Sequence, residues 1–108
     1  MNLKYLVIKC NDIEESKIFY EAIGFELTKE KHGEGLEHYS FKLNDITIEL
    51  YPTKKRVEGN LILGLEIEIS VLEIQKKLSA ISYSKEFIKN KDGSVSILDP
   101  NGNKIIFC

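Results

Sequence analysis

The chain has 108 residues, of which 43% are apolar and 30% charged, and its formal net charge is −2. This length predicts one domain with a core large enough to fold without disulfides or a structural metal. With 15 basic against 17 acidic residues and no basic stripe, the composition argues against nucleic-acid binding. No apolar run approaches the roughly 20 residues of a membrane span and no signal-peptide pattern begins the chain, so we expect a cytoplasmic protein with reduced cysteines.

The first half of the chain predicts a strand, a helix and three more strands. Apolar side chains alternate along residues 6–10, as they do on a strand with one buried face. Cys10 lies on that apolar face and is expected to be a core residue. Asp12 followed by Glu15 is a capping signal that predicts the start of a helix, and Gly24 can adopt the left-handed conformation that ends one.

The clearest element is a hairpin over residues 38–51. A two-residue turn at Asn44-Asp45 joins two alternating strands and puts their apolar side chains on one face, over the helix. The opposite, open face then carries His38, Ser40, Lys42, Thr47, Glu49 and Tyr51.

The second half of the chain repeats the first. Residues 65–69 alternate as on a strand, and Ser70 with Glu73 repeats the helix-capping signal. A final hairpin is predicted with a two-residue turn at Asn101-Gly102. This register leaves an apolar open face, formed by Val95, Ile97, Ile106 and Cys108.

Each half therefore predicts the order strand, helix, strand, strand, strand. We expect an α+β fold in which module one (residues 1–52), a linker (53–60) and module two (61–108) form a curved eight-stranded sheet around a groove. The same two helices would also fit a ferredoxin-like βαββαβ domain with four strands. The hairpin at Asn44-Asp45 followed by a strand over 61–69 favours eight strands.

Four segments resemble the vicinal oxygen chelate superfamily, which includes glyoxalase I, bleomycin resistance proteins, extradiol dioxygenases and fosfomycin resistance enzymes. The segments are NDIEES (residues 11–16), FYEAIGF (19–25), IELY (48–51) and DPNGN (99–103). The resemblance covers nearly the whole chain. It implies the fold more specifically than the activity, because this scaffold supports many chemistries.

Superfamily members with a metal centre hold the ion with side chains from the first and last strand of each module. The resemblance maps this superfamily metal position onto Tyr5, Glu49, Gly64 and Ile106. Only Glu49 can ligate, whereas a divalent metal needs about three strong ligands. The resemblance therefore implies no bound metal and no other cofactor. His38, Glu49 and Glu66 are an alternative ligand set that nothing in their spacing requires, and His32 is expected in a solvated loop.

Some metal-free members of the superfamily sequester a drug between two subunits, and this chain resembles them. We therefore expect a homodimer that binds a small amphipathic molecule, neutral or cationic, without catalysis. Lysines on the same face could instead neutralise the acidic groups. The alternative is an enzyme of lyase, isomerase or dioxygenase type, either metal-dependent or using Glu49 as an acid–base group. The expected ligand-binding residues are Tyr5, Lys9, His38, Ser40, Glu49, Tyr51, Glu66, Glu68, Ile97 and Ile106.

Overall fold

The computed structural model describes all 108 residues and contains eight strands and two helices. The first half forms β1 (Tyr5–Cys10), α1 (Ile13–Ala22), β2 (Thr28–Glu30), β3 (His38–Leu43) and β4 (Ile46–Pro52). The second half forms β5 (Ile62–Leu65), α2 (Val71–Ala80), β6 (Ile88–Lys89), β7 (Val95–Leu98) and β8 (Lys104–Phe107). This element order confirms the predicted α+β fold of two βαβββ units.

The strands form two sheets with matching topology. The first sheet has the order β1-β4-β3-β2 and the second the order β5-β8-β7-β6. In each, the first and last strands of the unit are parallel and the other pairs are antiparallel. No ladder of backbone hydrogen bonds joins the two sheets, so β1 and β5 are free edges.

Both helices begin at the predicted capping residues. The Asp12 side chain accepts hydrogen bonds from two backbone N–H groups of the first turn of α1, and Ser70 accepts one from Glu73 at the start of α2. Each helix has ten residues, too few to cross a membrane. Phe19 and Tyr20 of α1 and Ile74 of α2 are buried in one core cluster, which also contains Cys10 as predicted.

The first hairpin has the predicted register. Phe41 pairs with Ile48 and Ser40 with Glu49, and Asn44 adopts a φ of 55° in the two-residue turn. Phe41 and Ile48 are buried on the face of the sheet that packs against the helix. The polar side chains of the hairpin therefore lie on the opposite face.

The second hairpin differs from its predicted register by one residue. Ile97 pairs with Ile105, and Ser96 pairs with Ile106. Ile97 is 2% exposed and belongs to the core cluster, so its prediction as a groove residue is wrong. Val95 lies in the core for the same reason. The Ser96 hydroxyl is buried and has no hydrogen-bond partner.

A longer turn causes this shift. The backbone N–H of Asp99 donates to the carbonyl of Asn103, which leaves three residues in the turn instead of two. The Asp99 carboxylate accepts 2.8 Å hydrogen bonds from the backbone N–H groups of Asn101 and Asn103. Gly102 takes a φ of 91°, which a glycine adopts readily. An aspartate side chain that satisfies turn N–H groups stabilises this longer loop.

The same loop fixes the second half of the chain against α1. The Tyr20 hydroxyl donates to the fully buried Asp99 carboxylate at 2.7 Å, and Asn101 Nδ2 donates to the Ser16 hydroxyl at 3.0 Å. Tyr20 and Ser16 both lie on α1. The DPNGN segment therefore has a structural role at the contact between the two units.

Candidate functional site

The face of the first sheet that lies away from its helix carries the polar residues of the candidate site. We call this surface the open face. It contains Ser40 beside Glu49 and Lys42 beside Thr47, as the hairpin pattern predicted. A polar depression of about 710 Å³ lies on it, with Thr28, Glu30, Ser40, Lys42 and Thr47 among its lining residues.

His38 is the best-buried polar side chain on the open face, with an exposure of only 1%. Its ring stacks against the Tyr51 ring, with centroids 4.2 Å apart and planes 10° from parallel. Its Nδ1 lies 3.1 Å from the Leu36 carbonyl oxygen, so Nδ1 carries a proton and donates it. In a neutral ring this leaves Nε2 as an acceptor.

Two carboxylates converge on His38 Nε2. Glu49 Oε2 lies 3.2 Å from it and Glu30 Oε2 lies 3.6 Å from it. The Ser40 hydroxyl donates to Glu30 Oε1 at 2.6 Å, and this hydrogen bond lowers the pKa of Glu30 below its ordinary value. The Tyr51 hydroxyl is 3.4 Å from His38 Nε2. Burial, followed by the nearby charges of Glu49 and Glu30, raises the pKa of Tyr51.

His32 completes this group from a loop. Its side chain is exposed, as predicted, but its Nε2 lies 3.2 Å from Glu30 Oε2. Glu30, His32 and His38 are the one set of His, Cys, Asp or Glu residues whose ligand atoms all lie within 4.8 Å of one another. We call the whole group the His38 cluster, and it comprises Glu30, His32, His38, Ser40, Glu49 and Tyr51.

Neutralisation of the acidic groups by lysines, the alternative left open by the sequence, does not occur in the His38 cluster. Lys9 Nζ lies 5.5 Å from the centre of the Tyr51 ring, and Lys42 Nζ donates to the Thr47 hydroxyl at 2.8 Å. Neither lysine forms an ion pair with Glu30 or Glu49. The two carboxylates therefore have only histidines as possible cationic partners.

The superfamily metal position does not fit a metal here. Tyr5 is 61% exposed and pairs with Thr47, while Val7 is the strand partner of Glu49. In the second sheet Gly64 pairs with Ile106, and neither residue offers a ligand atom. One carboxylate is left at this position, and its Oε2 lies 3.2 Å from His38 Nε2.

Glu66 and Glu68 lie apart from the His38 cluster. Both are exposed and follow the last residue of β5. Neither forms an ion pair, and Glu66 is absent from the set whose ligand atoms converge. The alternative ligand set of His38, Glu49 and Glu66 is therefore not formed within one chain. Ile106 lies with Gly64 and Ser96 on the corresponding face of the second sheet.

Sequence reasoning missed Glu30 and the approach of His32. Glu30 pairs with His38 across β2 and β3, a strand pair that brings both side chains to the open face. β2 has only three residues and no apolar alternation, so its register left no pattern to detect. The glycines on either side of Glu34 are the one available signal, since they predict a tight turn that would return the chain next to β2.

The sequence matches no protein-family model and no curated protein sequence. Solved structures do share the fold. TnmS3, an antibiotic binding protein from a Streptomyces species, superposes with a TM-score of 0.74 at 22% identity over 99% of this chain and 93% of its own. Lactoylglutathione lyase from Agrobacterium tumefaciens gives 0.64 at 16% identity over 98% and 91% of the two chains. A glyoxalase family protein from Enterococcus faecalis gives 0.70 at 19% identity over 98% and 95%. The chain therefore has the fold of glyoxalases and bleomycin resistance proteins, that of the vicinal oxygen chelate superfamily.

Proposed function

We propose that this protein is a binding protein of the vicinal oxygen chelate superfamily that takes up a small amphipathic molecule, neutral or cationic, on the open face. The observation that carries the proposal is the His38 cluster. A histidine that is 1% exposed is fixed by a stacked tyrosine and a backbone carbonyl, and it lies beside two carboxylates on a sheet face that no helix covers. Fixed polar groups of this kind provide the orientation in ligand sites.

The surroundings of the cluster support this class of ligand. The adjoining depression of about 710 Å³ is within the usual size range of small-molecule sites. Tyr5 is an exposed aromatic ring at the edge of the face, and Tyr51 offers a second ring. Glu30 and Glu49 have no lysine partner, so a cationic or hydrogen-bond-donating ligand meets favourable charge.

We further propose that a second copy of the chain completes the groove. β1 and β5 are free edges, and Tyr5, Val7 and Ile62 on them are exposed apolar side chains. Free edges and exposed apolar side chains are normally covered, and a twofold dimer covers both at once. In this arrangement Glu66, Glu68 and Ile106 of one copy would face the His38 cluster of the other.

A second candidate function is acid–base catalysis by Glu49. The distance of 3.2 Å between Glu49 Oε2 and His38 Nε2 favours it, because a carboxylate held beside an imidazole can exchange a proton with it. We expect binding without catalysis, and therefore no detectable isomerisation of the methylglyoxal–glutathione adduct. Turnover that is lost on Glu49→Gln would instead establish the enzyme.

A fluorescence titration in the presence of EDTA tests the binding proposal. The probes are proflavine, a planar aromatic cation, and anilinonaphthalene sulfonate, an aromatic anion. We expect proflavine to bind with a Kd below about 100 μM and more tightly than the anion. Glu49→Gln and Tyr51→Ala should each weaken it about threefold or more, because they remove a charge and an aromatic face.

Glu21→Gln is the matched control, since it removes the same charge from the exposed side of α1. It should leave proflavine binding unchanged. Tighter binding of the anion, or equal effects of Glu49→Gln and Glu21→Gln, would reject the proposed site.

A further inference from the structure

We propose that the His38 cluster is a binding site for a divalent transition metal of the zinc class, with Glu30, His32 and His38 as ligands. These residues come from β2, the loop after it and β3, all within the first half of the chain. None of the three belongs to the superfamily metal position. The proposal concerns metal binding alone and does not depend on the small-molecule proposal.

Two separations among the ligand atoms are close to those around a tetrahedral ion. Zinc–nitrogen and zinc–oxygen bonds of about 2.0–2.1 Å place neighbouring ligand atoms about 3.4 Å apart. Glu30 Oε2 lies 3.2 Å from His32 Nε2 and 3.6 Å from His38 Nε2, on either side of this value. All three ligand atoms lie within 4.8 Å of one another.

Groups behind the ligands hold them in the required orientation. The Leu36 carbonyl accepts the Nδ1 proton of His38, which directs the unprotonated Nε2 toward the carboxylates. The Ser40 hydroxyl donates to Glu30 Oε1 and leaves Oε2 for an ion. Metal-ligating histidines and carboxylates in proteins are usually supported by such outer hydrogen bonds.

A tight turn brings His32 to the cluster. Its carbonyl accepts a 2.9 Å hydrogen bond from the Gly35 N–H, and Gly33 adopts a φ of 58°. A β-carbon at Gly35 would lie 2.9 Å from the same carbonyl oxygen, so this position requires a residue without one. The loop thus returns His32 next to the end of β2.

The charges at the centre of the cluster also favour a cation. The lone pair of His38 Nε2 faces the oxygens of Glu30 and Glu49, and no lysine or arginine lies within ion-pair distance of either carboxylate. Either a proton on Nε2 or a metal ion relieves the repulsion. Two imidazoles with a carboxylate suit zinc-class ions, whereas Mg²⁺ and Ca²⁺ prefer oxygen ligands alone. This inference revises the expectation of no bound metal, which considered only the superfamily metal position and one alternative set.

The test is a Zn²⁺ titration against a chromophoric chelator at neutral pH. A Cys108→Ser background removes the exposed thiol as a competing ligand. We expect one equivalent of Zn²⁺ to bind. His32→Ala should weaken it about tenfold or more, since loss of a ligand costs at least as much as loss of an outer partner. His32 is exposed, so this variant keeps the fold.

Glu34→Gln is the matched control, because it changes a charge in the same loop without removing a proposed ligand. It should leave the Zn²⁺ affinity within about twofold of the parent. Zn²⁺ should also raise the thermal midpoint of the parent protein but not that of His32→Ala. A Kd weaker than about 1 mM, or equal affinity of the parent and His32→Ala, would overturn the proposal. Proflavine binding in EDTA is measured separately, so failure of either proposal is recognised by itself.

Discussion

The hydrogen bond between Tyr20 and Asp99 provides the sharpest test of how the two halves of the chain hold together. The Asp99 carboxylate is fully buried and accepts four hydrogen bonds, from the Tyr20 hydroxyl, the Asn101 N–H, and the N–H and side-chain amide of Asn103. Tyr20→Phe removes one of them and changes little else, because the ring remains in place beside Phe19 and Phe41.

The expected cost is about 1.5–3 kcal/mol of unfolding free energy, the usual worth of a hydrogen bond to a charged group. We expect a cost in the upper part of this range, because Asp99 Oδ2 would keep one hydrogen bond, from the Asn103 side-chain amide. Asp99 is fully buried, so water cannot replace the lost hydroxyl donor. Tyr39→Phe is the matched control. Its hydroxyl donates to Glu14, an exposed residue, so water can take its place and the cost should stay below about 1 kcal/mol.

Equilibrium urea unfolding of the parent, Tyr20→Phe and Tyr39→Phe measures both quantities, provided that the m-values agree. A cost of Tyr20→Phe no larger than that of Tyr39→Phe would refute the role given to the buried Asp99 loop.

Three further results are expected. Phe41→Ala should cost about 3–5 kcal/mol in urea unfolding because it empties the space beside Tyr20, whereas Thr47→Ala on the open face should cost little; the reverse order would contradict the register of the first hairpin. Burial raises the pKa of Tyr20 and of Tyr83, so both side chains stay protonated to higher pH in the folded chain than in the unfolded chain. The stability that this contributes is complete below about pH 10 and is lost as the pH rises further. Urea midpoints should therefore fall above about pH 10, and less steeply in Tyr20→Phe. Sedimentation at micromolar concentration should give twice the chain mass, and a monomer across a hundredfold dilution would reject the dimer.

The first hairpin could be predicted from sequence because two independent signals agree there. Asn44-Asp45 fixes a two-residue turn, and both strands alternate with apolar residues that only one register brings together. The same agreement placed Ser40, Glu49 and Tyr51 on one face correctly.

The predicted register of the second hairpin was wrong because the Asp99 side chain determines the length of its turn. The Asp99 carboxylate satisfies two turn N–H groups and lengthens the loop by one residue, which rotated Ile97 from the open face into the core. The strand carried one signal against the predicted register, because Val95 and Ile97 alternate with the polar Ser96, which fell where an apolar side chain was expected. Glu30 was missed for a related reason, since its place beside His38 depends on the path of the loop that follows β2.

We propose above all that a small molecule binds on the open face beside the His38 cluster. The most direct measurement is a titration of proflavine into ¹⁵N-labelled protein in EDTA, followed by the backbone amide resonances. We expect the largest shifts at Ser40, Glu49 and Tyr51. Shifts confined to the helices, or to the second sheet around Ser96, would contradict it.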